Sequence, residues 1–185
     1  MMDEWTEKAL KCLQEGGLLL YPTDTVWGLG CDATNDAAVK RIFDLKKRAY
    51  DKPLLALIDS VDNLCNYVGE AALTHGNLYQ QENPTTLIFS NIQGISPMAM
   101  GGGSRMGFRL PKPSWIFDFM QVYKNPLIST SANISTQPMP QAYADIAPEI
   151  LEGVDFVVNL PTYKSATRPS SVISIEPDGT YKTLR

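Results

Sequence analysis

The segment at positions 21–30, with the sequence YPTDTVWGLG, carries the most informative set of functional groups in the chain. It follows an apolar, strand-like run. If it stays extended, the side chains at 21, 23, 25 and 27 project to one side and those at 24 and 26 to the other. Thr23 and Thr25 would then line a small polar pocket, while Gly28 and Gly30 remove bulk where the backbone turns or a ligand comes close. The alternative is an ordinary strand end with a Pro/Gly turn.

A second group places six cations within thirteen residues, namely Lys40, Arg41, Lys46, Lys47, Arg48 and Lys52. Such a cluster attracts anions. The alternative is a solvated helix end, because cations near a helix C-terminus are favoured by the helix dipole. Arg48 and Lys52 lie beyond the predicted helix end, however, where they can fold back over a ligand.

A third group lies in the segment PLISTSANIS at 126–135, where apolar residues give way to small polar ones. In extended geometry Ser129, Ser131 and Asn133 share one face and can converge on one ligand. The alternative is a turn in which these side chains bond only their own backbone.

Weaker signals come from single arginines and serines. Arg109 could bind a phosphate or carboxylate through two donors, although a surface ion pair is an equal alternative. Ser170 precedes a predicted strand. Spacing gives no specific support to the other candidate anion ligands, which are Arg105, Arg168 and Arg185.

Several familiar arrangements are absent from the sequence, which has neither a GxxxxGK[ST] phosphate loop nor a GxGxxG turn. The only histidine is His75, predicted to be a solvated surface residue, so a serine or cysteine hydrolase has no evident base. No residue is assigned as a metal ligand. A nucleotide site would therefore use scattered cations and hydroxyls.

Length and composition predict one soluble domain over residues 1–185. Hydrophobic residues make up 44% and charged residues 19%, and the net charge of −4 argues against a general electrostatic nucleic-acid binder. Three widely spaced cysteines favour reduced thiols, and no segment resembles a leader or a membrane span. We expect a cytoplasmic protein without membrane association.

Periodicity predicts helices alternating irregularly with strands, and hence a mixed α/β sheet. The predicted helices cover about 3–14, 35–46, 60–67, 71–81, 114–123 and 141–151, with Pro148 at odds with the last. The predicted strands cover 18–21, 54–58, 85–90, 106–110, 127–129, 154–158, 171–176 and 181–184.

The three segments together resemble the YrdC-like family, the threonylcarbamoyl-AMP synthases, in their single-domain form. The resemblance rests on YPTDTVWGLG, IFDLKKRAYDKPL and PLISTSANIS in that order. It implies a twisted mixed sheet with flanking helices and a concave basic cavity. It also implies a nucleotidyltransferase that converts L-threonine, bicarbonate and ATP into threonylcarbamoyl-adenylate and pyrophosphate, for threonylcarbamoyladenosine in tRNA.

Site roles also follow from this resemblance. Thr25, with Thr23 nearby, would hold threonine, and Lys46, Arg48 and Lys52 would meet the phosphates and the carboxylate as the catalytic cations. Completing the site are Ser131 and Asn133, which would contact both substrates, together with Arg109 and Ser170. Mg²⁺ would be held mostly by phosphates and water. Expected partners are downstream proteins that transfer threonylcarbamoyl to tRNA.

The chain departs from the family pattern at four places: Ala49 replaces a proline, residues 82–86 lack a glycine, and Leu57 and Pro113 stand near positions that hold histidine in many relatives. Two alternative functions stay open. One is a module that binds tRNA or double-stranded RNA through the basic groove without catalysis. The other is a relative that uses carbamoyl-phosphate in place of bicarbonate.

Overall fold

The computed structural model describes residues 3–160 and 170–185, and the nine strands found there form one sheet. The strands are β1 Leu19–Tyr21, β2 Gly28–Asp32, β3 Leu55–Leu57, β4 Thr85–Ser90, β5 Arg105–Arg109, β6 Leu127–Ser131, β7 Phe156–Val157, β8 Ser171–Ile175 and β9 Tyr181–Thr183. Their order in the sheet is β7-β1-β2-β6-β3-β5-β4-β8-β9. Three neighbouring pairs are parallel and five antiparallel, so the prediction of a mixed sheet is confirmed.

Helices cover both faces of the sheet. They are α1 Glu4–Gln14, α2 Asp36–Lys46, α3 Val61–Val68, α4 Ala71–His75, α5 Trp115–Tyr123 and α6 Pro148–Gly153. Successive residues of β1 point to opposite faces, so Leu20 joins the core formed with α2 and α3, whereas Leu19 joins the core formed with α1 and α5. In the described ranges, no helix is long and apolar enough to cross a membrane.

The first two helices begin at side-chain caps. Asp3 caps α1 by accepting from the amide of Thr6 at 3.1 Å, and Asn35 caps α2 by accepting from the amide of Ala38 at 3.0 Å. At its other end α2 stops because Lys47 adopts a left-handed conformation with φ 49°. The cationic residues from Lys47 onward therefore leave the helix axis.

Four sequence predictions are wrong in detail. Strand β2 was not predicted, because its glycines indicated a turn. The predicted helix at 71–81 is the short α4 followed by a 3₁₀ helix at Gly76–Gln80. The predicted helix at 141–151 is a 3₁₀ turn and then α6, which begins at Pro148 because proline suits a first helical turn. His75 is 8% exposed rather than solvated, with its ring centroid 6.5 Å from that of Tyr181.

Two central strands of the sheet determine where the candidate site lies. Strands β2 and β6 are antiparallel neighbours, and Gly28 pairs with Ser131. The first and third polar segments of the sequence therefore enter the same edge of the sheet side by side, although about a hundred residues separate them.

Candidate active site

A cavity of about 420 Å³, here called the main cavity, opens at this edge of the sheet. The residues predicted for the site that line it are Thr23, Thr25, Arg48, Arg109, Ser131 and Ser170. They come from the loop before β2, the loop after α2, strands β5 and β6, and the residue that precedes β8. Trp27 forms part of the wall, with its ring centroid 5.4 Å from that of Tyr143.

The loop before β2 is a turn rather than an extended segment. The Thr23 hydroxyl donates to the carbonyl of Val26 at 2.7 Å and accepts from the amide of Thr25 at 3.0 Å. The two threonine hydroxyls lie 2.9 Å apart. The predicted common face is wrong, because Tyr21 packs into the opposite core while Trp27 and Val26 line the cavity. The turn nevertheless presents both threonines to the cavity.

Because Gly28 and Gly30 have no side chain, other groups of the protein pack closely against them. A Cβ at Gly30 would lie 2.2 Å from the carbonyl oxygen of Ile128 and 2.9 Å from the hydroxyl of Tyr21. A Cβ at Gly28 would lie 2.8 Å from the methyl of Thr23. The predicted backbone turn is wrong at both glycines, which lie in β2, and the groups that approach them are Thr23, the neighbouring strand and the ring of Tyr21.

A second cavity of about 320 Å³, here called the side cavity, adjoins the first. Its lining includes Lys46, Lys52 and Asn133, the predicted site residues that do not line the main cavity. Arg48 and Ser131 line both cavities and form their shared wall. The nine predicted site residues are thus gathered around two adjoining spaces.

Arg48 is held against the loop that follows α2. Its Nη2 donates to the carbonyl of Pro53 at 2.8 Å and its Nε to the carbonyl of Lys52 at 3.3 Å. Burial lowers the pKa of Arg48. These bonds fix the guanidinium between the cavities without neutralising its charge.

Lys46 is 2% exposed and joins the end of α2 to the end of β6. Its Nζ donates to the carbonyl of Ser131, to the carbonyl of Asn133 at 2.6 Å and to the Oδ1 of Asn133 at 3.4 Å. Burial, with the nearby charge of Arg48, lowers the pKa of Lys46 to about 7. Because an ammonium has three N–H donors, these bonds occupy all of them when the side chain of Lys46 is protonated.

Asn133 is fixed at both ends of its amide. The Ser131 hydroxyl donates to Oδ1 at 2.5 Å, and Nδ2 donates to the carbonyl of Gln137 at 2.6 Å. Lys46, Ser131 and Asn133 therefore form one network, which orients the polar end of β6 at the shared wall.

Two further polar side chains line the main cavity: Thr86, which sequence reasoning missed, and Arg185, a candidate anion ligand that spacing did not support. Thr86 lies 2.8 Å from the hydroxyl of Ser170, and the side chain of Arg185 donates to the carbonyl of Ser170 at 3.2 Å. Only the pairing of β4 with β8, and of β8 with β9, brings these residues to the cavity, and spacing gives no sign of that pairing. Arg105 bonds Ser174 instead, and Arg168 lies outside the described residues.

Among the described residues, every charged side chain that lines the two cavities is a cation: Lys46, Lys47, Arg48, Lys52, Arg109 and Arg185. Such a lining is suited to phosphates and carboxylates. It does not suit a metal held by the protein, because Mg²⁺ prefers carboxylate oxygens. The part of the chain that the structure describes contains no cluster of three His, Cys, Asp or Glu side chains that could hold a metal ion.

A wider groove of about 780 Å³ lies elsewhere, between α1, the start of α2 and the end of α5. None of the predicted site residues lines it. Leu57, which stands near a family histidine position, is fully buried against α5 and β1 and contributes nothing to either cavity.

Known proteins are similar to this chain in sequence and in structure. The family model described as telomere recombination, Sua5/YciO/YrdC, matches residues 11–185. A threonylcarbamoyl-AMP synthase of Xanthomonas euvesicatoria is 31% identical over 157 residues, covering 83% of this chain and 84% of the relative. One of Idiomarina loihiensis is 28% identical over 178 residues, covering 94% of each chain.

Among solved structures, the crystal structure of P. abyssi Sua5 complexed with L-threonine superposes with a TM-score of 0.83 at 27% identity. The match covers 100% of this chain and 55% of the Sua5 chain, so this chain spans about half the length of that relative. The twisted mixed sheet with flanking helices is therefore a fold seen in an experimental structure.

Proposed function

The chain belongs to the Sua5/YciO/YrdC family, and from that premise we propose that it is a threonylcarbamoyl-AMP synthase. The reaction is a nucleotidyl transfer. The amine of L-threonine and bicarbonate form a carbamate with loss of water, and a carbamate oxygen then attacks the α-phosphate of ATP. The products are threonylcarbamoyl-adenylate and pyrophosphate.

The observation that carries this proposal is the shared wall of the two cavities. A hydroxyl-lined space and a lysine-lined space meet at Arg48 and Ser131. The reaction needs such an arrangement, because an amino acid and a triphosphate must meet at one bond. Alignment of the two supplies much of the rate, since carbamate formation and adenylation depend mainly on positioning.

We assign the threonine to the main cavity. Its carboxylate would meet the guanidinium of Arg109, and its polar groups would meet the hydroxyls of Thr23, Thr25 and Ser170. Each of these side chains lines the space. A cavity of about 420 Å³ has room for an amino acid together with part of the nucleotide.

We assign the phosphates to the side cavity and the shared wall. Lys52 and Arg48 would bind the leaving pyrophosphate, and Asn133 and Ser131 would contact the adenylate. Lys46 contributes by holding the network of Ser131 and Asn133. Mg²⁺ would arrive with ATP, held by phosphates and water, because the lining offers it no carboxylate.

The product would be consumed by proteins that transfer the threonylcarbamoyl group to tRNA. We also propose a cytoplasmic location, because the three cysteines are free, as expected in a reducing compartment. Overall acidity and recessed hydroxyls make an RNA-binding module without catalysis the weaker alternative.

Pyrophosphate release tests the proposal. We expect release on mixing the purified protein with ATP, bicarbonate and L-threonine, and Arg48→Met should reduce turnover by about 10²-fold, as loss of a fixed transition-state charge does. The matched control is Arg41→Met, because Arg41 pairs with Asp155 at 2.8 Å and lines neither cavity.

Three results would contradict the proposal. Wild-type release equal to a threonine-free control would exclude the synthase. Salt-dependent RNA binding without turnover would favour the binding module. Pyrophosphate release that is supported by carbamoyl-phosphate and not by bicarbonate would indicate the alternative enzyme, which uses carbamoyl-phosphate.

A further inference from the structure

Asp24, the carboxylate of the turn before β2, lies behind the main cavity rather than in its lining. Its side chain is 4% exposed. One oxygen accepts from the Nη1 of Arg109 at 2.7 Å, and the other accepts from the backbone amide of Lys112 at 2.9 Å. Asp24 therefore joins the turn that carries Thr23 and Thr25 to the end of β5 and the residues that follow it.

Arg109 is 3% exposed and forms part of the cavity lining. A guanidinium has five N–H donors in a rigid plane. In the ranges that the structure describes, the one side-chain hydrogen bond of Arg109 is that to Asp24. The guanidinium is thus anchored at one corner, while other donors remain for a ligand.

A buried cation that is held at one corner needs its partner's charge. Breaking such a pair leaves an uncompensated charge, whereas removing both charges is better tolerated. Asparagine cannot replace Asp24, because the two donors approach different oxygens and an amide has one oxygen. One donor would then face an NH₂ group, and either Arg109 or the amide of Lys112 would lose its acceptor.

We propose that Asp24 is a positioning residue, which fixes the guanidinium of Arg109 so that its free donors receive the carboxylate of the amino-acid substrate. It acts through Arg109 and does not touch the substrate, because it lies outside the lining of the cavity. It also couples both sides of the amino-acid site, since one carboxylate holds the threonine turn and the arginine together. This inference rests on the proposed function.

The test is a double-mutant cycle on Asp24 and Arg109. We expect Asp24→Asn to raise the KM for L-threonine by about tenfold or more, as the loss of a buried charge-assisted bond does, with the KM for ATP changed less than twofold. Arg109→Gln should raise the KM for L-threonine similarly. In the Arg109→Gln background, adding Asp24→Asn should cause no further increase.

Asp59→Asn is the matched control. Asp59 is another buried carboxylate, 3% exposed in its side chain, and pairs with Lys124 at 3.0 Å away from both cavities. It should leave the KM for L-threonine unchanged. Urea unfolding of each variant separates a change of affinity from a loss of fold.

Each outcome decides the inference. It is overturned if folded Asp24→Asn keeps the wild-type KM for L-threonine, or if the two effects multiply in the double variant. If Asp24→Asn does not fold, the comparison of Arg109→Gln with the double variant still decides, because a purely structural Asp24 would lower affinity further. Failure of the proposed function looks different, since the wild type itself would then release no pyrophosphate.

Discussion

The buried ammonium of Lys46 makes the stability of this protein depend on pH in a direction that can be stated in advance. Burial lowers the pKa of Lys46 from its ordinary 10.5 to about 7. Between these values the unfolded chain binds more protons at this position than the folded chain. The free energy of unfolding should therefore rise with pH across that window.

The size of the effect follows from one proton. Where the folded side chain is neutral and the unfolded one charged, the contribution approaches about 1.4 kcal/mol per pH unit. Between about pH 7.5 and pH 9 this amounts to about 2 kcal/mol. Measurements should stay below pH 9, because burial raises the pKa of the Cys12 thiol from 9.0 to about 11, which acts in the opposite direction at higher pH.

The assay is urea unfolding of the wild type and of Lys46→Met across this range. Lys46→Met loses the hydrogen bonds of Lys46 to the end of β6, which shifts its stability at every pH, but it also loses the titration and should give a flatter line. Lys40→Met is the control, because Lys40 is exposed beside Asp44 and its pKa is raised, so both states stay charged below pH 9. Parallel lines for the wild type and Lys46→Met would refute a lowered pKa.

Two further predictions concern the strand glycines and the cavity wall. Gly30→Ala should lower the free energy of unfolding by about 3 kcal/mol, because its Cβ would overlap the carbonyl of Ile128. Gly103→Ala is the control and should be nearly neutral in urea unfolding, because the nearest atom to its Cβ lies at 3.4 Å. Equal stabilities of the two variants would contradict the close packing at Gly30. L-threonine should change tryptophan fluorescence through Trp27, which lines the main cavity and is 4% exposed. The change should vanish in Trp27→Phe and persist in Trp115→Phe, and a signal that survives Trp27→Phe would place the ligand elsewhere.

Much of the architecture was predictable because the helices carry clear local signals. Caps such as Asp3 and Asn35, together with the apolar stripe of α2, mark helix ends without tertiary information. Strand β2 was missed because glycine is unfavourable in isolated strands, and only the contact between Gly30 and the neighbouring strand explains its presence.

The candidate site was predictable in its residue types and less so in its contacts. Hydroxyls and cations in three segments indicated an anionic substrate, and the resemblance to a family predicted that the three segments form one site. Spacing could not show that Lys46 bonds the end of β6 or that Asp24 faces Arg109, because both contacts join residues about 85 apart in the chain. Nor could it show Arg185, which reaches the cavity through the pairing of β8 with β9.

The pairing of Gly28 with Ser131 constrains how this protein can vary. Because side chains alternate along a strand, inserting or deleting one residue inside β2 or β6 would turn every following side chain to the other face. An insertion or deletion in β2 or β6 should therefore be accepted only together with a second length change that restores the register.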